Sequence, residues 1–390
     1  MAIEGRSDDK AGGRIRLGMV GGGEGAFIGA VHRLAARMDD NYVFVAGALS
    51  STPEKSLRSG AALGLDPART YPDFATMALK ERRRKDGIEA VAIVTPNDMH
   101  APAAEAFIKA GIHVICDKPV TTTLKDALKL KKLAEEKGVI FAVTHNYTGY
   151  PLIRAAREMV KAGELGDIRL IQVEYPQDWL TTPIEQTGQK QADWRTDPKR
   201  SGAGGSIGDI GTHAFNLSQF VGGLEVSRLL AELTTFVPGR ALDDNVQILL
   251  RYANGAKGAL WASQVAPGNE NGLMLRVYGS KAGLYWRQDN PNVMYFTPHG
   301  EPTRILTRGS SAAGAAAARV TRVPPGHPEG YLEGFANIYT EIARAIKAAR
   351  TGEKLDPEVL FPGIDDGIAG MAFIEAAVKS SKKGGVWVNW

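Results

Sequence analysis

Ile15-Arg16-Leu17-Gly18-Met19-Val20 runs straight into Gly21-Gly22-Gly23-Glu24-Gly25-Ala26-Phe27-Ile28-Gly29, and this junction decides the fold class. A short apolar run ending in clustered glycines, followed by a helical pattern through His32, Leu34 and Ala35, is the first strand-to-helix turn of a βαβ series. Glycine is needed there because a side chain would block the turn and keep a pyrophosphate from the backbone N–H groups at the helix N-terminus. The spacing departs from the ordinary fingerprint. Gly21-x-Gly23 is followed by Gly29 rather than by a glycine three positions on, so Gly25 and Gly29 compete for the third role.

Outward from this turn, Arg14 to about Asn146 alternates β-branched runs with longer amphipathic ones. The strands read as Ile15–Val20, Val43–Leu49, Ala90–Thr95, His113–Cys116 and Val139–Thr144. Between the last two, Thr123 and Asp126 suit a helix start, Leu124, Leu128 and Leu133 share a face, and Gly138 suits a left-handed stop. The pattern is that of a doubly wound α/β domain with a parallel sheet. After a helix over Pro151 to Gly163, the period changes to two in Ile168–Tyr175, Arg228–Phe236, Val246–Tyr252 and Ala256–Val265. Asn254-Gly255 lies between the last two, and both residues tolerate the positive φ of a two-residue hairpin turn. Ser310 to His327 reads as a long loop before a helix from about Glu329 to Arg350. The chain thus divides into a flexible tail over 1–13, a dinucleotide-binding Rossmann domain over 14–146 and an α+β domain over 147–390. The second domain carries a large, mainly antiparallel open sheet; the family resemblance given below implies substrate binding and oligomerisation there.

Two domains also follow from 390 residues, since single cores stop growing well below that length. The 47 Lys+Arg against 43 Asp+Glu leave a net charge of +4, without the basic face that nucleic-acid binding requires. Neither a nucleic-acid nor a membrane partner is expected, for no run of about 18 apolar residues occurs. The single cysteine, Cys116, and a polar N-terminus point to the cytoplasm. Ile3-Glu4-Gly5-Arg6 reads as a linker or natural tail. Scattered histidines, with no HExxH or CxxC spacing, give no metal site.

Strand two ends at Ser50-Ser51, where an acid would normally bind the ribose 2′-OH of NAD. Lys55 and Arg58 follow and suit a 2′-phosphate, so NAD and NADP stand level. Oxidation of an alcohol needs a base for the hydroxyl proton. Asp209 and His213, four apart, point from one face if the segment is helical, and the carboxylate then orients the imidazole.

Three further segments lie in order along the chain: Thr95-Pro96-Asn97-Asp98-Met99-His100, Cys116-Asp117-Lys118-Pro119, and Gly204-Gly205-Ser206-Ile207-Gly208-Asp209-Ile210-Gly211-Thr212-His213. With the glycine turn they resemble the Gfo/Idh/MocA oxidoreductases, the family of glucose–fructose oxidoreductase and inositol dehydrogenase. The resemblance implies Lys118, Asp209 and His213 as catalytic residues beside a nicotinamide, with Asp117 where the family usually has Glu. It implies cofactor contacts from Gly21, Gly23, Gly25, Ala26, Phe27, Ile28, Ser50, Ser51, Lys55, Thr95, Pro96, Asn97, His100, Asp117 and Lys118. Around the substrate it sets Lys118, Asp209 and His213, and Tyr147, Gln177, Asp178, Trp179, Trp194 and Arg195 are placed with them, since polar groups beside aromatic faces suit a sugar ring. Similar Gln-Asp-Trp and Trp-Arg segments occur in members resembling levoglucosan dehydrogenase. The expected activity is hydride transfer between NAD or NADP and a hydroxyl-bearing carbon of a pyranose, anhydrosugar or inositol. A redox-assisted glycosidase and a non-catalytic dinucleotide sensor are the alternatives. By analogy with relatives, a homodimer or homotetramer is expected.

Overall fold

The computed structural model describes residues 13–390, so the tail expected over 1–13 lies, but for Gly13, outside the described residues. The chain forms two compact units, each discontinuous in sequence. The first comprises residues up to Thr121, Lys125–Asn146 and Tyr331–Ile368; the second comprises Thr122–Leu124, Tyr147–Gly330 and Ala369–Trp390.

In the first unit, β1 (Ile15–Gly21), β2 (Tyr42–Ala48), β3 (Ala90–Val94), β4 (His113–Cys116) and β5 (Phe141–Val143) form one sheet in the order β2-β1-β3-β4-β5. Every neighbouring pair is parallel. The order reverses between β1 and β3, which is the switch point where open parallel sheets take ligands at their carboxyl ends. β1, β3 and β4 are almost wholly buried, as strands covered by helices on both faces must be. The helix Leu124–Lys137 stops at Gly138, whose φ is 63°.

The helix Tyr331–Thr351 corrects the expected domain boundary. It belongs to the first unit and packs on the helix Phe27–Met38, with Phe335, Ile338, Tyr339, Ile342 and Ile346 joining the core of β1 and β3. Its apolar period disclosed a buried face, and the chain order alone could not say which layer covers it.

The second unit carries nine strands: β6 (Ile168–Pro176), β7 (Val226–Thr234), β8 (Asn245–Tyr252), β9 (Lys257–Ser263), β10 (Met274–Gly279), β11 (Ala282–Arg287), β12 (Val293–Pro298), β13 (Arg304–Thr307) and β14 (Val388–Asn389). They lie in the order β13-β12-β11-β10-β6-β9-β8-β7-β14. All pairs are antiparallel except β6 with β9. One face buries Ile171, Val173, Leu260, Leu275, Leu284 and Trp286 beneath helices that include Thr212–Gly222. The other face is open. A single cross-strand row on it runs Leu230, Leu249, Ala259, Gln172, Arg276, Tyr285, Tyr295, Ile305 by direct register.

Two local expectations change. At Asn254-Gly255 only Gly255 takes a positive φ, 89°; its N–H bonds Tyr252 O, and the Ala256 N–H turns back onto the Asn254 side chain. A wider connection, closed by one left-handed glycine, therefore replaces the two-residue turn. The stretch over 310–327 is not a plain loop, since it contains the helix Gly314–Arg319, which seats the fully buried Ala317. Six residues are too few to display an amphipathic period. Among the described residues, no helix is long and apolar enough to cross a membrane.

Because Phe335 is 1 % exposed and meets the His32 ring edge-on at 4.8 Å, Phe335→Ala is expected to destabilise the first unit by about 3–5 kcal/mol. Urea denaturation checks this, and a loss confined to the second unit would contradict the placement of the helix.

Candidate active site

The glycine turn resolves the competition between Gly25 and Gly29. A Cβ on Gly29 would lie 2.4 Å from Gly22 Cα, so Gly29 serves the close helix–strand packing of the third fingerprint glycine. Gly25 sits at the tip with φ 76° and open space around it. Gly21 and Gly22 have φ of 80° and 70°, and a Cβ on Gly23 would lie 2.5 Å from Leu49 O. Arg33 Nη1 donates to Gly22 O at 2.8 Å and pins the turn from below. No side chain caps the helix Phe27–Met38 and its first turn carries no acid. Its N–H dipoles and a loop stripped of Cβ atoms suit a pyrophosphate. Ala26 and Ile28 are half-buried and Phe27 is exposed. At the end of β2, Ser50 and Lys55 are half-buried and Ser51 exposed. Arg58 lies 4.0 Å from Glu24 across the same region.

Beyond β3, Thr95 and Pro96 are half-buried, and the buried Asn97 opens a short 3-10 turn. His100, expected to touch the cofactor, has both ring nitrogens against protein carbonyls. Its Nδ1 lies 2.8 Å from Pro119 O and its Nε2 2.9 Å from Thr95 O, so the ring ties the turn after β3 to the turn after β4. Burial lowers its pKa against the pull of Asp117 and both carbonyls. Asp117 is likewise drawn into a buried network. Its Oδ1 accepts from Thr144 Oγ1 at 2.5 Å and lies 3.1 Å from His32 Nε2, while the Tyr339 hydroxyl lies 2.7 Å from His32 Nδ1. Burial pushes Asp117 up, but the charge and hydrogen bond of His32, the Thr144 bond and His100 outweigh it and leave its pKa lowered. The shortened acid thus steadies the turn that presents half-buried Lys118. His145, which the sequence reading missed, is 2 % exposed after β5, and burial together with the charge of Lys118 takes its pKa down to about 3.

In the second unit the expected substrate residues come together. Asp209 lies in a π turn, Ile207–Gly211, whose register passes the Thr212 N–H to Ile207 O before the helix Thr212–Gly222 begins. Such a turn is one residue wider than an α turn and recurs at functional sites. The carboxylate expected to orient His213 has its Oδ2 engaged by Gln264 Nε2 at 2.8 Å and Arg195 Nε at 3.2 Å. The Arg195 guanidinium lies 4.2 Å from the Trp194 ring centroid and 5.9 Å from that of Trp179. Trp179 Nε1 donates to Gln177 Oε1 at 3.0 Å, and Gln177 Nε2 donates to Asn271 Oδ1 at 2.7 Å. Tyr175 donates to the same Oδ1 at 2.8 Å and bonds the Tyr147 hydroxyl. The ring of Tyr147 meets that of His213 edge-on at 4.9 Å. Burial raises the pKa of Tyr147, so the phenol stays protonated. Asp178 stands apart, accepting the Gly268 N–H at 3.2 Å in a loop. Gln264, Asn271, Tyr175 and Gln288, which accepts from Asn271 at 2.9 Å, were not legible as site residues because isolated amides and tyrosines carry no spacing signal. The assembly can hold hydroxyl groups on amide, phenol and guanidinium edges and offer an imidazole as proton acceptor.

The profile described as an oxidoreductase family with NAD-binding Rossmann fold matches residues 15–145, and that of the GFO/IDH/MocA C-terminal domain matches 153–285. The crystal structure of an oxidoreductase from Sinorhizobium meliloti is 59% identical, covers 97% of this chain and 100% of its own, and has a TM-score of 0.89. An inositol dehydrogenase homolog from Azotobacter vinelandii, solved with NADH and myo-inositol, is 37% identical over 97% of this chain and 98% of its own, with a TM-score of 0.91. Levoglucosan dehydrogenase of Pseudarthrobacter phenanthrenivorans is 27% identical over 96% of this chain and 98% of its own. The chain belongs to the GFO/IDH/MocA oxidoreductases. Its first unit is an NAD(P)-binding Rossmann fold, and its activity is that of an NAD(P)-dependent oxidoreductase acting on CH–OH groups.

Two outcomes follow. Gly29→Val is expected to weaken dinucleotide binding at least about 10-fold, since its side chain must displace the Gly22 backbone; fluorescence titration reads this. His145 binds its proton less readily folded than unfolded. Its contribution to stability is therefore complete above its ordinary 6.5 and is lost as pH falls towards about 3. His145→Asn should remove up to about 1.4 kcal/mol per pH unit from the slope of stability in that window, measured by denaturant titration at stepped pH.

Proposed function

We propose that the chain catalyses reversible oxidation of a secondary or anomeric hydroxyl on an inositol, pyranose or anhydrosugar. The carrying observation is the linked set Trp179, Gln177, Asn271, Tyr175, Tyr147 and His213, with Asp209 held by Gln264 and Arg195. These are the donors, acceptors and aromatic edges that a ring of hydroxyls requires. The inositol dehydrogenase homolog supports a cyclitol more strongly than levoglucosan dehydrogenase supports an anhydrosugar, because its identity over similar coverage is higher.

In this reading His213 accepts the hydroxyl proton and Asp209 holds the helix start in register. Lys118 is assigned a share in the proton relay. Nicotinamide, when bound, takes the hydride. The backbone of Gly21, Gly23 and Gly25 through Ile28 would hold the pyrophosphate, Ser50, Ser51 and Lys55 the adenosine ribose, and Thr95, Pro96 and Asn97 the nicotinamide ribose. Gln177, Trp179, Trp194 and Arg195 grip the ring.

His213→Ala is expected to lower turnover by about 10²–10⁴-fold with dinucleotide affinity retained. The assay follows nicotinamide absorbance with NAD and NADP separately against inositols, sugars and glycosides. Release of sugar from a glycoside without net reduction of cofactor would convert the reading to a redox-assisted glycosidase. Tight dinucleotide binding with no turnover across the panel would leave a sensor.

The open sheet face is also proposed to pair two copies of the chain, for Leu249, Tyr278, Tyr295 and Ile305 are exposed on it at 44%, 38%, 37% and 62%. Light scattering should give a dimer or tetramer. Leu249→Arg with Tyr295→Arg is expected to shift it to the monomer, and an unchanged mass would remove this face from the assembly.

A further inference from the structure

One buried acid holds the segment on which Asp209 and His213 ride. Asp243 sits in the connection between β7 and β8. Its Oδ1 accepts the Gly205 N–H at 2.7 Å, its Oδ2 accepts the Ile207 N–H at 2.8 Å, and its own carbonyl accepts the Ser206 N–H at 2.8 Å. Three successive donors at the entry to the π turn are thus satisfied by a single residue. Gly205 makes this possible. A Cβ there would lie 2.1 Å from Asp243 O, so the glycine is demanded by close approach of two backbones. The neighbouring Asp244 extends the same anchor. Its carbonyl accepts the Gln264 N–H at 2.8 Å, and the Gln264 side chain is the one that donates to Asp209. The Asp244 carboxylate is itself held by the Phe236 and Val237 N–H groups and by Arg240.

We propose that Asp243 is a positioning residue for the oxidoreductase site, setting Asp209 and His213 by gripping the backbone over 205–207. This rests on the reading that those two residues serve hydride transfer. Burial pushes the Asp243 carboxyl up to about 6, with the Ile207 and Gly205 N–H groups pulling it down and Asp244 adding to the rise. The neighbouring Asp244 charge is itself paired with Arg240. Above about pH 6 both oxygens accept. Below it one oxygen carries a proton aimed at an N–H donor, and one of the two anchoring bonds is lost. The pKa is raised on folding, so the contribution of this group to global stability declines as pH rises from 3.8 through about 6, while the local grip strengthens. The two trends have opposite sign, which separates positioning from a general structural role.

Asp243→Asn, which leaves one acceptor and turns an amide N–H₂ against a donor, is expected to lower kcat by about 10–100-fold while dinucleotide Kd stays within about 2-fold. Backbone amide exchange, read by mass spectrometry, should quicken over 204–213 and stay unchanged elsewhere in the second unit. Unchanged exchange over 204–213, or an equal rise across the whole unit, would overturn the proposal. If Asp243→Asn does not fold, Gly205→Ala decides, since it displaces the Asp243 backbone with the carboxylate intact and should give the same local exchange and the same loss of kcat. A wild-type chain that oxidises no compound in the panel would defeat the functional reading alone, because the exchange measurement still reports the anchor.

Discussion

Gly29 faces Gly22 across the first strand-to-helix turn, and Gly205 faces Asp243 across the entry to the π turn, at separations where a Cβ would stand 2.4 Å and 2.1 Å from backbone atoms. Each unit builds its functional end at such a place. When two backbones lie this close, their N–H and C=O groups become the binding surface, and side chains only finish it. In the first unit this leaves a helix start without capping side chain or acid, open to a negatively charged ligand. In the second it lets one carboxylate and one carbonyl satisfy three consecutive amides and commit the following turn to its wide form.

Around both places, buried ionisable groups do mechanical work. Asp117 joins His32 and Thr144 beneath the turn that presents Lys118, and His100 ties that turn to the end of β3. Arg240, its side chain almost wholly buried, joins Asp244 to Glu185 and to the carbonyls of Leu180 and Thr182, so the connection that follows Trp179 shares its anchor with the segment that carries Asp209 and His213. A charge buried with its partner costs desolvation, and the return here is fixed geometry. These networks explain why residues with no expected role, such as Asn271 and Gln264, hold residues that have one.

The residues proposed for the site were read from chemistry written in local spacing. The glycine turn, the Asp-Lys-Pro turn and the Asp-x-x-x-His segment each lie within a dozen residues, and the structure places each at a strand end or helix start. Where reading failed, the deciding partner was distant in sequence. His100 and Asp117, expected beside the cofactor, also bond protein groups, and position after a strand says nothing of such partners. Asp243 stood as one acid among 43 Asp and Glu. Its importance comes from Gly205 and Ile207, more than thirty residues away.

Alternation of apolar runs and glycine placement determined, from sequence alone, a parallel α/β unit followed by a mainly antiparallel sheet, together with the turn that meets a dinucleotide. These features depend on neighbours within one or two helical turns, where steric limits on φ and side-chain period act directly. Tertiary structure decided which unit takes the helix Tyr331–Thr351, that nine strands make the second sheet, which glycine packs and which only turns, and how Asp209 is held. Each of these is set by burial and by hydrogen bonds between residues far apart along the chain, and a linear pattern records that a face must be covered without recording by what.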